Sequence, residues 1–389
     1  MLVVRQVCLH FRTLSADRDF WYEPDFKFAQ LMSMENEYPL DESEFLDILF
    51  ADNNLVDSLG RRKKAWAFGS LEGLRSVIVA VPLFRRHARI IQLNIRTHFA
   101  STEDSEHRHS STDIAIELLS TCFHIVKLTI KAAYRVNLTK IASSFPFLEI
   151  LDCGGLSQFD GSLQELDRLQ RLRMRVSLRE GVRHWLPLQS TGTLTELNLN
   201  YGPFRLDTDC FSEMAAFINL KSLEIAPLLP TVCDILIHSP IKLDTFKVRI
   251  DPLRAPIDKV LDMLRADCFC NLKQVAFVDW SDEFPLDATQ LAAERFWSLA
   301  LDSFTSLLSS VEKVLLNLPV CLEYCAYFSR MRNLKLLDWD ASAECFPAGL
   351  DSMDSEEEHK EKVEKALESA FSEFTEKPRF SVTLSRSQW

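Results

Sequence analysis

The heptapeptide Leu194-Thr195-Glu196-Leu197-Asn198-Leu199-Asn200 sets the pattern for the rest of the chain. Successive side chains of a strand point to opposite faces. Leu197 and Leu199 therefore share one face, and Glu196, Asn198 and Asn200 share the other. Leu194 lies three residues ahead of this pair, giving an LxxLxL string that predicts a short strand with one apolar and one wet face. The string returns at Ile90/Leu93/Ile95, Ile125/Leu128/Ile130, Leu148/Leu151/Cys153, Leu169/Leu172/Met174, Leu220/Leu223/Ile225, Leu243/Phe246/Val248, Leu272/Val275/Phe277, Val311/Val314/Leu316 and Leu334/Leu337/Trp339.

The middle apolar residue of these strings advances from position 93 to position 337 in steps averaging about 27 residues, the period of leucine-rich repeats. The filler between strings has helical character at Asp113 to Ser120, Leu163 to Leu169, Cys210 to Phe217, Val232 to Ile237 and Pro256 to Leu264. One strand-turn-helix-turn unit cannot cover its own apolar strand face, so neighbours must stack. The expected fold is α/β: a leucine-rich-repeat solenoid with a curved parallel sheet, helices on the convex side and a small N-terminal helical region. An ordinary doubly wound α/β domain is the alternative. Only 10 glycines and no GxGxxG argue against its nucleotide-binding version.

The chain has 389 residues, 47% of them hydrophobic, and sets 44 basic against 56 acidic side chains for a net charge of −12. That is enough apolar material for a large core. The sequence has no apolar run of about 18 residues, so no membrane span is expected. Arg5, His10, Arg12 and Asp17 interrupt any signal-peptide core, so export is not expected either. Ten cysteines without a paired CxxC arrangement fit reduced, mostly buried thiols of a cytoplasmic or nuclear protein. Nucleophile elbows, Walker loops and paired Cys-His spacings are missing, so the sequence predicts no enzyme, no cofactor and no metal. His10, His124 and His238 fall in apolar text and are expected in the core. His107 and His109 lie in a polar loop, and the pairs Asp207/Asp209 and Asp338/Asp340 are expected as chance neighbours among many carboxylates.

Four regions follow: 1–25, 26–88, 89–345 and 346–389. Val4, Val7, Cys8, Phe11 and Leu14 have amphipathic helical spacing in the first. The second is a helical spacer with the basic run Arg61-Arg62-Lys63-Lys64, expected as a solvated helix end, and a helix from Leu71 to Phe84. The repeats occupy the third, with an enlarged step whose helix runs from Gln290 to Leu308. The fourth combines a charged helix within Asp351 to Glu376 and the strand-like Phe380 to Leu384, which together suit a C-terminal cap.

By alternation the polar positions of every string share one open face. Counted along ten strings, nine are basic and five acidic, against a whole-chain charge of −12. The candidate binding residues are Lys127, Lys131, Arg171, Arg173, Arg175, Lys247 and Arg249. Guanidinium groups at alternate positions of one strand suit bidentate capture of carboxylate or phosphate. The expected partner is therefore an acidic or phosphorylated client protein. The competing account is that these charges serve solubility and cross-strand pairing. The acidic total, and the lack of aromatics interleaved with the basic rungs, argue against nucleic acid.

Val7-Cys-Leu-His-Phe-Arg-Thr-Leu-Ser-Ala-Asp-Arg-Asp-Phe-Trp21 resembles the second half of an F-box. The Leu-Pro helix that opens that module does not precede it in this sequence, so only the N-terminally shortened module is expected. With the spacer ending in Val81-Pro82-Leu83-Phe84 and the repeats beyond, the layout is similar to the leucine-rich-repeat F-box proteins numerous in filamentous fungi. The resemblance implies the substrate-recognition subunit of an SCF-type ubiquitin ligase, with a Skp-type adaptor held by Val4, Val7, Phe11, Leu14 and Trp21 and a client on the repeat face. Two alternatives stand beside it: a leucine-rich-repeat interaction scaffold without a ligase role, and an N-terminal helix that only caps the first repeat.

Overall fold

A computed structural model of the chain describes residues 65–68, 71, 74, 75, 78, 85, 88–93, 111–122, 124–131, 135–178, 184–201, 213–252, 255–279, 286–308, 310–318, 322–342 and 353–385. Val4, Val7, Cys8, His10, Phe11, Leu14 and Trp21, the Arg61–Lys64 run, His107, His109, Asp207 and Asp209 lie outside them. The described residues form two compact units, divided after Leu194.

The first unit contains β1 (Ala65–Phe68), β2 (Ile90–Leu93), β3 (Lys127–Ile130), β4 (Arg135–Asn137), β5 (Ile150–Asp160) and β6 (Arg171–Leu178), with helices α1 (Ser111–Leu119) and α2 (Leu138–Ser144). Strand pairing is parallel throughout, in the order β1-β2-β3-β5-β6. β5 is long enough to take two partners on one edge: β3 pairs with Ile150 to Asp152, and β4 with Gln158 to Asp160. Leu128, Leu151 and Leu172 stand in one register row, all buried, and Leu148 and Leu169 close the core below them. α2 begins where Asn137 Oδ1 accepts the Lys140 N–H at 3.0 Å, satisfying an orphan donor of the first turn. It buries Leu138, Ile141 and Ala142.

Two expectations fail in this unit. The ladder does not start at Ile90, because Ala65–Phe68 pairs with β2 in full register. The helix expected from Leu163 to Leu169 is a series of turns. Leu163, Leu166 and Leu169 are buried there, but the Leu163 N–H bonds the Trp185 carbonyl at 2.9 Å. The buried Ser190 hydroxyl accepts the Leu169 N–H and donates to the Leu166 carbonyl. Bonds to the next loop thus take the backbone groups that a helix would pair internally. Gly161 sits at φ +81 with Thr139 against it, so a side chain there would meet the Thr139 backbone N at 2.9 Å.

The second unit contains β7 (Glu196–Tyr201), β8 (Ser222–Ala226), β9 (Thr245–Ile250), β10 (Gln274–Asp279), β11 (Lys313–Asn317), β12 (Leu336–Ser342) and β13 (Arg379–Ser385), with α3 (Pro230–Ile237), α4 (Ile257–Leu264), α5 (Leu286–Leu307), α6 (Leu322–Phe328) and α7 (Met353–Ala370). The strands pair in chain order and in parallel. Two apolar rows run across them: Leu197, Leu223, Phe246, Val275, Val314, Leu337 and Phe380, then Leu199, Ile225, Val248, Phe277, Leu316, Trp339 and Val382. All but Phe380 are buried. Burying such side chains stabilises by roughly 1.5–3 kcal/mol each, which makes the rows the main reason the strands hold this register.

The residue ahead of each strand alternates in charge along the ladder: Lys221, Asp244, Lys273, Glu312, Lys335. Each N–H from Asp244 onward bonds the carbonyl of the one before it, at 2.7–2.9 Å. Lys335 Nζ lies 2.9 Å from Glu312 Oε2, and this ammonium holds the Glu312 carboxyl below its ordinary range. Between β10 and β11, α5 packs Phe304 edge-on to Phe277 at 4.6 Å between centroids. Its Trp297 donates its indole N–H to the buried Asp279 carboxylate at 2.6 Å. Phe296 and Trp297 are buried, while Leu299 is 49% exposed. β13 continues the ladder past the expected limit of the repeats, and α7 with the turn after it supplies the buried Val363, Leu367 and Phe371. No helix among the described residues is long and apolar enough to cross a membrane.

Candidate protein-binding face

Because the apolar rows point into each unit, the intervening residues form a polar face on each, and register determines which charges meet. In the first unit one row holds Ile90, Lys127, Ile150 and Arg171, and the next holds Gln92, Thr129, Asp152 and Arg173. Strands are about 4.8 Å apart and residues of one face about 6.6 Å apart along a strand. Arg171 and Arg175 on β6 are then separated by roughly 13 Å, and Lys127 lies two strands from Arg171. All three arginines of β6 are exposed.

Only part of this charge is neutralised from within. Arg173 Nη1 approaches Asp152 Oδ2 at 3.9 Å, and Asp152 is the one acidic residue among the described string positions of this unit's open face, with Asp160 at the far end of β5. Arg171 has an interaction of its own. Lys127, Lys131 and Arg175 make no ion pair among the described residues. Gly154 lies beside the Asp152–Arg173 pair and leaves the guanidinium open at the position where a side chain would stand 3.9 Å from its Nε.

The second unit is different. Its open face carries Lys247, Arg249, Lys313 and Arg379 against Glu196, Glu224, Asp338 and Asp340, an even balance. Glu224 accepts from Asn198 Nδ2 at 2.6 Å and meets Lys247 Nζ at 3.0 Å, so a lateral chain of polar groups spans three strands. Arg249 also has an internal partner. For Lys247 the cross-strand account is therefore the better one.

The excess positive charge predicted over ten strings thus concentrates on the first unit, as five basic residues against one acidic. Sequence alone could not have separated the units, because whether a lysine is paired depends on which carboxylate the next strand places beside it.

Two of the histidines expected in the core are not there. His124 and His238 are exposed: His124 rests beside Phe147 at 6.1 Å, and His238 ends α3 as its C-cap. The described residues contain no group of three histidine, cysteine or acidic side chains able to hold a metal ion. Burial raises the thiol of Cys122 to about 11 and those of Cys233 and Cys268 to about 12, far from the range of a nucleophilic cysteine.

No family model matches the sequence, and no curated protein matches it. Among solved structures, a structural-genomics crystal structure of a Bacteroides fragilis protein is similar at a TM-score of 0.39 and 14% identity, over 59% of this chain and 66% of that one. The chain thus spans just under two thirds of that protein. A likeness of this degree carries no argument about function.

Proposed function

We propose that the chain is a leucine-rich-repeat recognition protein whose first unit captures an acidic or phosphorylated segment of a client across β3, β5 and β6. The observation that carries this reading is the uneven charge: at the described string positions the open face is five-to-one basic, and Lys127, Lys131 and Arg175 make no ion pair among the described residues, in a protein of net charge −12. A solubility role would not call for basic residues in an acidic protein, nor would cross-strand pairing leave them without carboxylates. Unpaired cations on a strand face attract an anionic chain and add charge-assisted hydrogen bonds once it docks.

The F-box-like segment extends this proposal to a substrate-recognition subunit of an SCF-type ligase, in the cytoplasm or nucleus. Val4, Val7, Phe11, Leu14 and Trp21 would hold the adaptor, whose partner subunits supply the chemistry. This part rests on sequence resemblance alone. The test is a peptide array of acidic, phosphorylated and neutral sequences probed with the chain, paired with a binding assay against purified Skp-type adaptor. Preferential capture of anionic peptides with adaptor binding supports both parts. Anionic capture without adaptor binding supports the recognition module and removes the ligase role. No preference for anionic peptides removes the recognition proposal.

A further inference from the structure

Among the described residues, the last strand of the second unit has one paired edge. The Arg379 N–H bonds the Lys335 carbonyl at 2.9 Å, so Arg379, Ser381, Thr383 and Ser385 turn their backbone groups toward β12. Phe380, Val382 and Leu384 must turn theirs the other way. Among the described residues no strand meets that edge. The edge is also long and regular: seven consecutive register pairs to β12, with no bulge.

Proteins usually guard such an edge with lysine, proline, a bulge or a short strand. Lys377, Pro378 and Arg379 stand at its start, but none of these devices occurs in the stretch Phe380 to Ser385. The sequence Phe-Ser-Val-Thr-Leu is instead self-complementary about Val382. In an antiparallel pair of two copies centred there, Val382 faces Val382, Ser381 faces Thr383, Phe380 faces Leu384 and Arg379 faces Ser385. Apolar residues thus meet apolar ones, hydroxyls meet hydroxyls, and no like charges oppose each other. Phe380, Val382 and Leu384 are the positions with outward backbone groups, so each of their pairs is of the hydrogen-bonded kind. A two-fold axis through Val382 generates both halves from one surface, as an isologous interface requires.

We propose that a second copy of this chain occupies the β13 edge, forming a symmetric dimer through antiparallel pairing about Val382. This is independent of any client, because it uses only the last strand of the second unit.

The test is sedimentation velocity on the full chain from about 1 to about 200 µM, a range suited to small interfaces. The expected result is a concentration-dependent rise from the monomer mass of 44.7 kDa toward twice that value. Ser381 and Thr383 are exposed, so their substitutions leave the core untouched. The double variant Ser381→Lys with Thr383→Lys sets like charges face to face in both hydroxyl pairs. It should raise the dissociation constant at least about tenfold. Ser381→Glu with Thr383→Lys sets opposite charges face to face and should restore the dimer. The three proteins should show the same circular dichroism. A wild-type chain that stays monomeric throughout, as it would if another protein's strand were the occupant, overturns the proposal. So does a dimer indifferent to the like-charge pair, or a like-charge variant and an opposite-charge variant that behave alike.

Discussion

Replacing Leu151 by alanine should loosen β5 far more than replacing its neighbour Ile150, and the contrast tests the register on which the open face depends. Leu151 is fully buried, with Leu128 on one side of its row and Leu172 on the other, both also buried. Truncating such a leucine costs about 2–5 kcal/mol, because the rows on either side cannot close over the void. Ile150 is half-buried on the open face between Lys127 and Arg171. Its truncation should cost about 1 kcal/mol or less. A one-residue slip of β5 would exchange these two values, since every side chain would change face. Native-state hydrogen exchange read by mass spectrometry on peptides spanning 148–178 gives the local opening equilibrium for each variant. Leu151→Ala should accelerate protected amides by about 30-fold or more, and Ile150→Ala by less than about tenfold. Equal acceleration in the two variants, or a larger effect from Ile150→Ala, would refute the register.

Other expectations follow from single contacts. Gly161→Ala should lower stability by about 1–3 kcal/mol, since it strains a left-handed backbone and pushes on Thr139; a thermal melt indistinguishable from wild type would contradict this. Asp279→Ala leaves the buried Trp297 indole N–H without its acceptor and should cost about 1–3 kcal/mol, whereas Asp279→Asn, which keeps an acceptor oxygen, should cost less. Equal losses in chemical denaturation would show that the bond itself is unimportant. With their thiols raised to about 11 and about 12, Cys122, Cys233 and Cys268 should resist alkylation at pH 8 while the exposed Cys270 reacts. Mass-spectrometric mapping that found them as reactive as Cys270 would place them outside a closed core.

The strands were legible because burial on one face imprints a period of two that few other constraints disturb. Nine of the ten strings coincide with a described strand, from β3 through β12, with β4 the one strand among these not announced by a string. The Ile90/Leu93/Ile95 string is two residues out of register: β2 pairs Ile91 with Leu128 and Leu93 with Ile130, which leaves Ile90 on the open face, and Ile95 lies outside the described residues. β1 escaped notice because Ala65-Trp-Ala-Phe68 has no LxxLxL spacing and follows a run of four basic residues, which reads as a solvated end. The helices were less legible. Leu163, Leu166 and Leu169 are spaced as a helix would space them, but three-residue turns place buried residues at the same interval, and Ser190 from a distant loop decides between them. The basic character of the open face was likewise in the sequence. Its concentration in the first unit was not, because Lys247 is neutralised by Glu224, a residue 23 positions away that only the β8–β9 register brings beside it.

The most direct test of the account is a fluorescence-anisotropy titration of phosphorylated, acidic and neutral versions of one peptide with the full chain, repeated with Lys127→Glu, Arg171→Glu and Arg175→Glu combined. Charge-assisted hydrogen bonds contribute about 1.5–3 kcal/mol each, so loss of several should weaken binding of the anionic peptides at least about 100-fold. Added salt should weaken it in the wild type as well. Anionic peptides that bind the triple variant as tightly as the wild type, or a wild-type chain that does not distinguish them from the neutral peptide, would contradict the assignment of the first unit's open face as the recognition surface.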